Sequence, residues 1–330
     1  MRLKIPHIMR SDELLEKAFS SARKAKIIDI DPKRRVDSVR EREAQRIDTV
    51  AQTIESYIEK ILSRTPKIDE LEPFYVDLIS ITIDKDQFKK SLAALKWVKK
   101  KTHEHSIFYK KKLKHASIHK LAGLRKEFYG RQASLLKQIS KDLLFLSESK
   151  RTLREIPDIK DAPSLVIAGF PNVGKSSLLK ELTGANPKIQ NYPFTTKGIL
   201  LGYIENRIQV VDTPGLLERP QEKRNAIEKK AISAIKNIAS IVLFVFDVSK
   251  TAQDPKDQLA LFKSIYDDFR VETIACINKI DDLDEDYAKV IESNLMCPIF
   301  KTSIVDKTGI DELKKHILKN IKSNMKTYRT

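Results

Sequence analysis

The chain is poor in the residues that build disulfide-stapled or membrane-spanning proteins. It has only two cysteines, Cys276 and Cys297, which lie in or next to predicted strands and are typical of small apolar side chains in a reducing compartment. No apolar run approaches the roughly 20 residues that a membrane span needs, and the N-terminus lacks the apolar core of a signal peptide. We therefore expect no disulfide framework, no membrane span and a cytoplasmic location.

Glycine is scarce in the first half of the chain, where only Gly123 and Gly130 occur before residue 160. Helix-like runs there predict an all-α helical-bundle domain. These runs are residues 11–26, 36–63, 85–101 and 115–149. Later residues alternate between strands and helices, which predicts a mostly parallel sheet. The expected fold class is α + α/β, with an all-α domain at residues 1–160 and a sheet domain at residues 161–330.

A phosphate-binding loop begins the second domain, where residues 169–176 read GFPNVGKS. Such a string also occurs by chance, but here a short apolar strand precedes it and a helix follows it. Its glycines permit a tight bend that points successive N–H groups at phosphate oxygens. Lys175 is expected to reach the β- and γ-phosphates, and the Ser176 hydroxyl to bind Mg²⁺. The residues expected to contact nucleotide here are Gly169, Phe170, Pro171, Asn172, Val173, Gly174, Lys175, Ser176 and Ser177.

A second motif predicts how the third phosphate is sensed. A predicted strand at residues 208–211 is followed by Asp212, Thr213, Pro214 and Gly215. This order places a carboxylate for the Mg²⁺ shell and a glycine N–H near the γ-phosphate.

A third motif selects GTP over ATP. Asn278, Lys279 and Asp281 form an N-K-x-D string directly after a predicted buried strand. The Asp281 carboxylate can accept from guanine N1–H and N2–H₂, which adenine does not offer. After the next strand, a backbone amide near Ser303 is expected to contact the guanine O6. The sequence thus predicts a Ras-like P-loop GTPase domain that binds GTP or GDP with Mg²⁺.

The excess positive charge lies in the first domain. Residues 1–160 carry 37 Lys and Arg against 23 Asp and Glu, and residues 85–120 alone contain twelve Lys and two acids. A basic helical face can bind RNA phosphates, and exposed rings can stack on unpaired bases. Helical spacing favours a different place for the aromatic residues of this segment, in the core of the bundle beneath a basic outer face. These residues are Phe88, Trp97, Phe108 and Tyr109.

The combination of motifs resembles the Obg-type GTPases, and within them the nucleolar GTP-binding protein 1 family. The resemblance rests on GFPNVGKS, NYPFTT at residues 191–196, DTPG followed by Leu216, NKID, and a basic helical domain placed first. It implies GTP hydrolysis in assembly of the large ribosomal subunit, with ribosomal RNA or a precursor particle as partner. Because the sequence ends at Thr330, we expect a short, archaeal-like form.

Residues 191–196 have no helical period and are expected to form the first switch. One of the two threonines should bind Mg²⁺. We assign Thr196, since related GTPases that vary the first of the pair keep the second, and Thr195 is the alternative. The expected catalytic residues are Lys175, Thr196 and Gly215, and the expected metal ligands are Ser176, Thr196 and Asp212.

Leu216 stands where Ras-type GTPases place the glutamine that orients the attacking water. Leucine cannot do this, so we expect slow intrinsic hydrolysis that a GTPase-activating partner or a cation accelerates. Asn172 is one candidate ligand for K⁺ in such a role, and the alternative is that its amide only stabilises the loop.

Three other functions are compatible with these features. Lysine clusters also bind anionic membranes, a basic domain also binds acidic proteins, and some GTPases drive tRNA modification. No clear membrane-lying helix and no second catalytic motif support the first or the last of these in the sequence.

Overall fold

The structure is a computed structural model that describes residues 5–25, 34–160, 162–193, 195, 198–219 and 224–327. These residues form two compact units. A helical unit lies within Arg2–Glu70 and Ile83–Arg154, and a sheet unit lies within Leu71–Thr82 and Glu155–Thr330. The units alternate along the chain, whereas the predicted domains divide it once at residue 160, so that division stays a prediction.

Six α-helices precede residue 155 in the described chain, and all except the third belong to the helical unit. They are α1 (Ser11–Lys24), α2 (Arg35–Arg64), α3 (Pro73–Thr82), α4 (Lys85–His115), α5 (Ile118–Gln138) and α6 (Ser140–Arg154). Apolar side chains three or four residues apart form the buried face of α2. They include Ile47, Val50, Ile54, Ile58 and Ile61. The prediction of an N-terminal helical bundle is confirmed. Within the described residues, no helix is both long enough and apolar enough to cross a membrane.

Two helix boundaries differ from the sequence-based expectation. Helix α4 does not end near Lys101 but continues to His115, because residues 102–115 contain no glycine or proline that would stop it. The run predicted at residues 115–149 is divided at Ile139 into α5 and α6. No glycine or proline marks this break, so the sequence carries no signal for it.

The aromatic residues of α4 divide between the core and the surface. Phe88 and Tyr109 are buried as expected, but Trp97 is 40% exposed and Phe108 is 50% exposed. The expectation of a core position was wrong for these two rings. The buried stripe of α4 passes through residues 95, 98, 102, 106 and 109, and each of the two rings is one residue, about 100° of helix rotation, away from it.

The sheet unit contains seven strands in the order β2-β3-β4-β1-β5-β6-β7. Their bounds are β1 (Ser164–Ala168), β2 (Lys188–Gln190), β3 (Ile199–Ile204), β4 (Ile208–Asp212), β5 (Ala239–Asp247), β6 (Glu272–Asn278) and β7 (Ile299–Thr302). Strand β3 is antiparallel to β2 and β4, and the other neighbours are parallel, which confirms the prediction of a mostly parallel sheet. The helices of this unit after residue 155 are α7 (Lys175–Thr183), α8 (Ala226–Lys236), α9 (Pro255–Phe269), α10 (Glu285–Ser293) and α11 (Ile310–Thr327).

Strand register brings the ends of the parallel strands to one edge of the sheet. Asp247 lies opposite Asn278, and Asn278 lies opposite Thr302. On the other side of β5, Ile167 of β1 lies opposite Asp212 at the end of β4. Because parallel strands end on the same side, the loops that follow them meet at this edge.

Helix α3 packs in the sheet unit although it lies between two helices of the helical unit in sequence. The Tyr75 hydroxyl donates to the Ile159 carbonyl (3.0 Å) and accepts from the Ile159 N–H (3.2 Å). The Asp77 carboxylate accepts from Ser233 Oγ (3.0 Å) and Asn237 Nδ2 (2.9 Å), which both lie at or just after α8. Polar contacts therefore tie α3 to α8 and to the segment that enters β1.

We expect the Tyr75→Phe change to destabilise the sheet unit by about 1–3 kcal/mol, because it leaves the buried Ile159 backbone groups without their partner. Urea denaturation followed by circular dichroism measures the effect. The matched control is Tyr266→Phe, since Tyr266 is 50% exposed. Equal stability of Tyr75→Phe and the control would contradict this role of the hydroxyl.

Candidate nucleotide-binding site

A cleft of about 470 Å³ opens at the carboxyl edge of the sheet. Its walls come from the loop after β1, the start of α7 and the loop after β4. The lining residues are Pro171, Asn172, Gly174, Lys175, Ser176, Ser177, Pro214, Gly215 and Glu218. Eight of these nine are residues that the sequence motifs predicted to contact nucleotide. The exception is Glu218.

Both glycines of the loop after β1 are needed for steric reasons. Gly169 has φ 140°, and a Cβ atom there would overlap the Val245 carbonyl oxygen. Gly174 has φ 97°, and a Cβ atom there would overlap the Asn278 side-chain amide. Helix α7 then begins at Lys175, so the N–H groups of its first turn have no partner within the helix. This is the geometry that binds a phosphate anion.

The Lys175 ammonium is buried among oxygen atoms. Its Nζ donates to the carbonyls of Gly169 (3.0 Å) and Phe170 (2.6 Å) and lies 3.0 Å from Glu218 Oε1. Only 6% of its side chain is exposed. These contacts hold the positive charge at the wall of the cleft, where it can meet phosphate oxygens. The sequence motifs did not include Glu218, because no local pattern marks its pairing with Lys175.

Ser176 and Asp212, two of the predicted metal ligands, form a hydrogen-bonded pair. Ser176 Oγ donates to Asp212 Oδ2 (2.6 Å), and Asp212 is fully buried. Burial raises the pKa of Asp212 above its usual value, and the hydrogen bond from Ser176 acts in the opposite direction. The second oxygen, Oδ1, is buried with no hydrogen-bond partner in the described structure. An unpartnered buried carboxylate oxygen beside a serine hydroxyl fits Mg²⁺, which prefers hard oxygen ligands.

The remaining predicted metal ligand, Thr196, lies outside the described residues. Its alternative, Thr195, donates its hydroxyl to the Tyr192 carbonyl (2.9 Å). Among the described residues, no group of three or more His, Cys, Asp or Glu side chains could hold a metal ion. Mg²⁺ bound by Ser176 and Asp212 would therefore complete its coordination with phosphate oxygens and water, as this ion commonly does.

The guanine motif is placed at the ends of β6 and β7. The Asn278 amide donates to the Val173 carbonyl (2.9 Å) in the phosphate loop, and its oxygen accepts from Thr302 Oγ1 (3.1 Å). Asp281 lies in the short 3₁₀ turn Ile280–Asp282 and is exposed. The structure thus couples Asn278 to the phosphate loop and leaves the Asp281 carboxylate available to a base.

Lys279 and Ser303 are both engaged by neighbouring residues. Lys279 Nζ lies 2.5 Å from the buried Asp247 carboxylate, a pairing that the sequence motifs did not predict. The Ser303 N–H donates to the Thr308 carbonyl (3.1 Å). The Ser303 amide therefore forms a hydrogen bond within the turn that follows β7. Its predicted contact with the guanine O6 stays a prediction.

Leu216 lies at the position expected for a water-orienting side chain and is only 4% exposed. Its backbone N–H donates to the Thr213 carbonyl (3.1 Å), closing the turn around Pro214 and Gly215. Position 216 thus offers no side-chain polar group for the hydrolytic water.

The fold and the cleft define a P-loop GTPase with an N-terminal helical domain. Residues 3–160 match the family model described as the NOG1 N-terminal helical domain, and residues 164–279 match the one described as a 50S ribosome-binding GTPase. The chain belongs to the nucleolar GTP-binding protein 1 family of P-loop GTPases, and it binds GTP or GDP as this class does.

Individual relatives differ in how much of their length the chain covers. It is 40% identical over 299 residues to an uncharacterized protein of Methanocaldococcus jannaschii, covering 87% of this chain and 82% of the relative. It is 32% identical over 295 residues to nucleolar GTP-binding protein 1 of Drosophila melanogaster, covering 85% of this chain and 45% of the relative. A crystal structure of a Plasmodium falciparum protein named as nucleolar GTP-binding protein 1 is 30% identical, with a TM-score of 0.45, and covers 52% of this chain and 93% of that chain. The chain spans about half the length of the eukaryotic relatives with this name.

We expect Asp281→Asn to weaken GTP binding by about 10- to 150-fold, because a hydrogen bond to a charged group contributes about 1.5–3 kcal/mol. Xanthosine triphosphate should bind the variant better than the wild type, since the new amide can donate to the xanthine 2-oxygen. Competition against a fluorescent GTP measures both changes. Asp282→Asn is the matched control, and an equal loss in the two variants would contradict base reading by Asp281.

Mg²⁺ is expected to raise the affinity for GTP. In Asp212→Asn we expect this gain in affinity to be about 10- to 100-fold smaller than in the wild type. The reason is that an amide supplies no negative charge to the ion. GTP titrations at several Mg²⁺ concentrations, with EDTA as the reference, measure the effect. If the GTP affinity of the variant rose with Mg²⁺ as it does in the wild type, Asp212 would not contribute to Mg²⁺ binding.

Proposed function

We propose that the chain is a GTP-dependent switch that docks on the large ribosomal subunit, or on its precursor, through ribosomal RNA. The observation that carries this proposal is the surface of α4, where exposed lysines surround two partly exposed rings on a helix with eleven Lys and two acids. Such a surface matches a phosphate backbone. The description of the matching GTPase family as ribosome-binding and the nucleolar names of the relatives support the same partner.

The switch is proposed to act through α8. Tyr192, in the predicted first switch, is buried and its hydroxyl donates to the Ala231 carbonyl of α8 (2.7 Å). Burial raises the pKa of the Tyr192 phenol well above its ordinary value, so it is a permanent donor at neutral pH. The second switch segment, residues 215–224, ends just before α8 begins. Both predicted switches therefore meet one helix.

The second switch segment ends at a buried arginine, Arg224, which contacts neighbouring residues. Arg224 Nε donates to the Arg219 carbonyl (3.0 Å), and its Nη1 lies 3.3 Å from Asp268 of α9. The side chain of Arg224 is only 2% exposed, so buried contacts hold this end of the segment next to the start of α8. We propose that GTP orders residues 191–196 and 215–224, and that α8 passes the change to Asp77 of α3.

In this proposal Lys175, Thr196 and Gly215 stabilise the γ-phosphate during hydrolysis, and Ser176, Thr196 and Asp212 hold Mg²⁺. Leu216 supplies no group that orients water, so hydrolysis is slow until a partner or a cation assists. Asn172 has φ 66° and lines the cleft, and K⁺ at this residue is our candidate cation.

The proposed location is the cytoplasm, which the two free cysteines support.

Co-sedimentation with isolated large and small ribosomal subunits tests this function. We expect GTP-analogue-loaded protein to bind the large subunit at least about tenfold more tightly than GDP-loaded protein, which corresponds to about 1.4 kcal/mol. The affinity should fall as salt concentration rises, and nuclease treatment should abolish binding. Lys175→Ala should remove the nucleotide dependence, whereas Lys180→Ala, a change of an exposed lysine on the same helix, should keep it.

Other outcomes would identify the competing functions. Equal binding to both subunits, or no binding, would contradict the proposal. Nuclease-resistant binding would indicate an acidic protein partner, and binding to anionic vesicles instead of subunits would indicate a membrane partner.

A further inference from the structure

A second groove of about 470 Å³ lies between α4 and α5 in the helical unit. It shares no residue with the nucleotide cleft. Its walls combine the ring of Phe108 with two cations, Lys112 and Arg131, and with the imidazole of His105. Nothing in the GTPase chemistry uses these residues.

The groove offers a ring on which a flat molecule can stack. Phe108 is 50% exposed although it is a large apolar side chain, and exposing it to water costs free energy that a stacked ligand would recover. Lys112 Nζ lies over the Phe108 ring, 4.6 Å from its centroid, so a positive charge lies against one face of this ring. Tyr109 packs edge-on against the same ring, with centroids 5.3 Å apart, and this contact supports the position of the Phe108 side chain.

Polar groups in the groove match the edges and phosphate of a nucleotide. Glu127 accepts from the Tyr109 hydroxyl (2.7 Å), and Lys101 compensates the charge of Glu104 (2.7 Å). Burial lowers the pKa of His105, and the nearby Arg131 acts in the same direction, which favours the neutral imidazole. A neutral imidazole and carboxylate oxygens accept from base N–H groups, while Arg131 and Lys112 can meet phosphate.

A second exposed ring stands in line with the groove. Trp97 is 40% exposed and precedes Phe108 by eleven residues on α4. Eleven residues are three helical turns to within about 20°, so both rings project from one face about 16 Å apart. Exposed Lys100 and Lys111 lie on the same face. Two rings at this distance, with lysines between and beyond them, fit a strand of several nucleotides better than one free nucleotide.

We propose that the groove binds an unpaired base of single-stranded RNA on Phe108, and that Trp97 stacks on a second base of the same strand. The inference rests on the proposed function and names the RNA element that the helical unit recognises. It commits to unpaired RNA because a duplex hides its base faces, while exposed lysines of α4 such as Lys100 and Lys111 favour a polyanion.

Two RNA-binding measurements on the full chain test the proposal. Trp97 is the only tryptophan, so its fluorescence reports stacking directly. A labelled 12-nucleotide single-stranded RNA gives affinities by anisotropy, and its duplex and an abasic strand of equal length provide the comparison. We expect quenching and tight binding only with the single strand that carries bases. Equal affinity for the abasic strand or the duplex would overturn the proposal.

Side-chain changes separate stacking from charge. Phe108→Leu keeps an apolar side chain at a half-exposed site, so the fold is expected to persist, and circular dichroism checks this. It should weaken single-strand binding by about 5- to 150-fold without changing the salt dependence. Lys100→Ala should instead reduce the salt slope by about one. The matched control, Tyr266→Leu, removes a ring that is also 50% exposed but lies in the sheet unit, and it should have no effect.

The outcomes also distinguish this inference from the proposed function. Wild-type affinity in Phe108→Leu would overturn the groove assignment, and so would full competition by millimolar adenosine or guanosine monophosphate. If Phe108→Leu bound RNA normally while nucleotide-dependent docking on the large subunit persisted, only the groove assignment would fail. If the wild type bound the single strand through Phe108 but not the subunit, only the ribosomal function would fail.

Discussion

The nucleotide site depends on one buried side chain, the amide of Asn278. It bonds to the Val173 carbonyl in the phosphate loop and accepts from Thr302 at the end of β7, so three loops share one residue. Its position leaves no room for a Cβ atom at Gly174, which explains why the phosphate loop needs glycine there. The register of β5, β6 and β7 makes this arrangement possible by aligning Asp247, Asn278 and Thr302 in one row. The segments predicted to bind the base and the phosphates are consequently joined by direct contacts.

A second shared element, α8, is the route that we propose from the cleft to the rest of the sheet unit. Tyr192 of the predicted first switch contacts it, the predicted second switch segment leads into it, and Asp77 of α3 contacts Ser233 from the other side. Each contact is a buried or partly buried hydrogen bond, whose loss costs about 1–3 kcal/mol when one partner is left unsatisfied. Coupling free energies in switches are commonly about 1–3 kcal/mol. The contacts around α8 are therefore large enough to transmit a nucleotide-dependent change.

The sequence predicted what short, contiguous motifs can encode. The phosphate-loop string and the DTPG turn each depend on neighbouring residues and each follow a strand as expected. The alternation of strands and helices predicted the correct sheet type. Pairs between distant loops, such as Lys175 with Glu218 and Lys279 with Asp247, could not be predicted because no local pattern marks them. The place of α3 was missed for the same reason, since Asp77 and Ser233 are 156 residues apart. Trp97 and Phe108 lie one residue away from the buried stripe of α4. Helical spacing alone does not distinguish such a position from a buried one.

Hydrogen–deuterium exchange of the full chain with GDP and with a GTP analogue tests whether α8 carries the nucleotide state from the cleft to α3. We expect the phosphate loop to be protected equally in both states, while amides of Ala226–Lys236 and Pro73–Thr82 exchange more slowly with the GTP analogue. Lys175→Ala should remove that difference. Identical exchange of α8 and α3 in the two states, with the phosphate loop protected in both, would contradict the account.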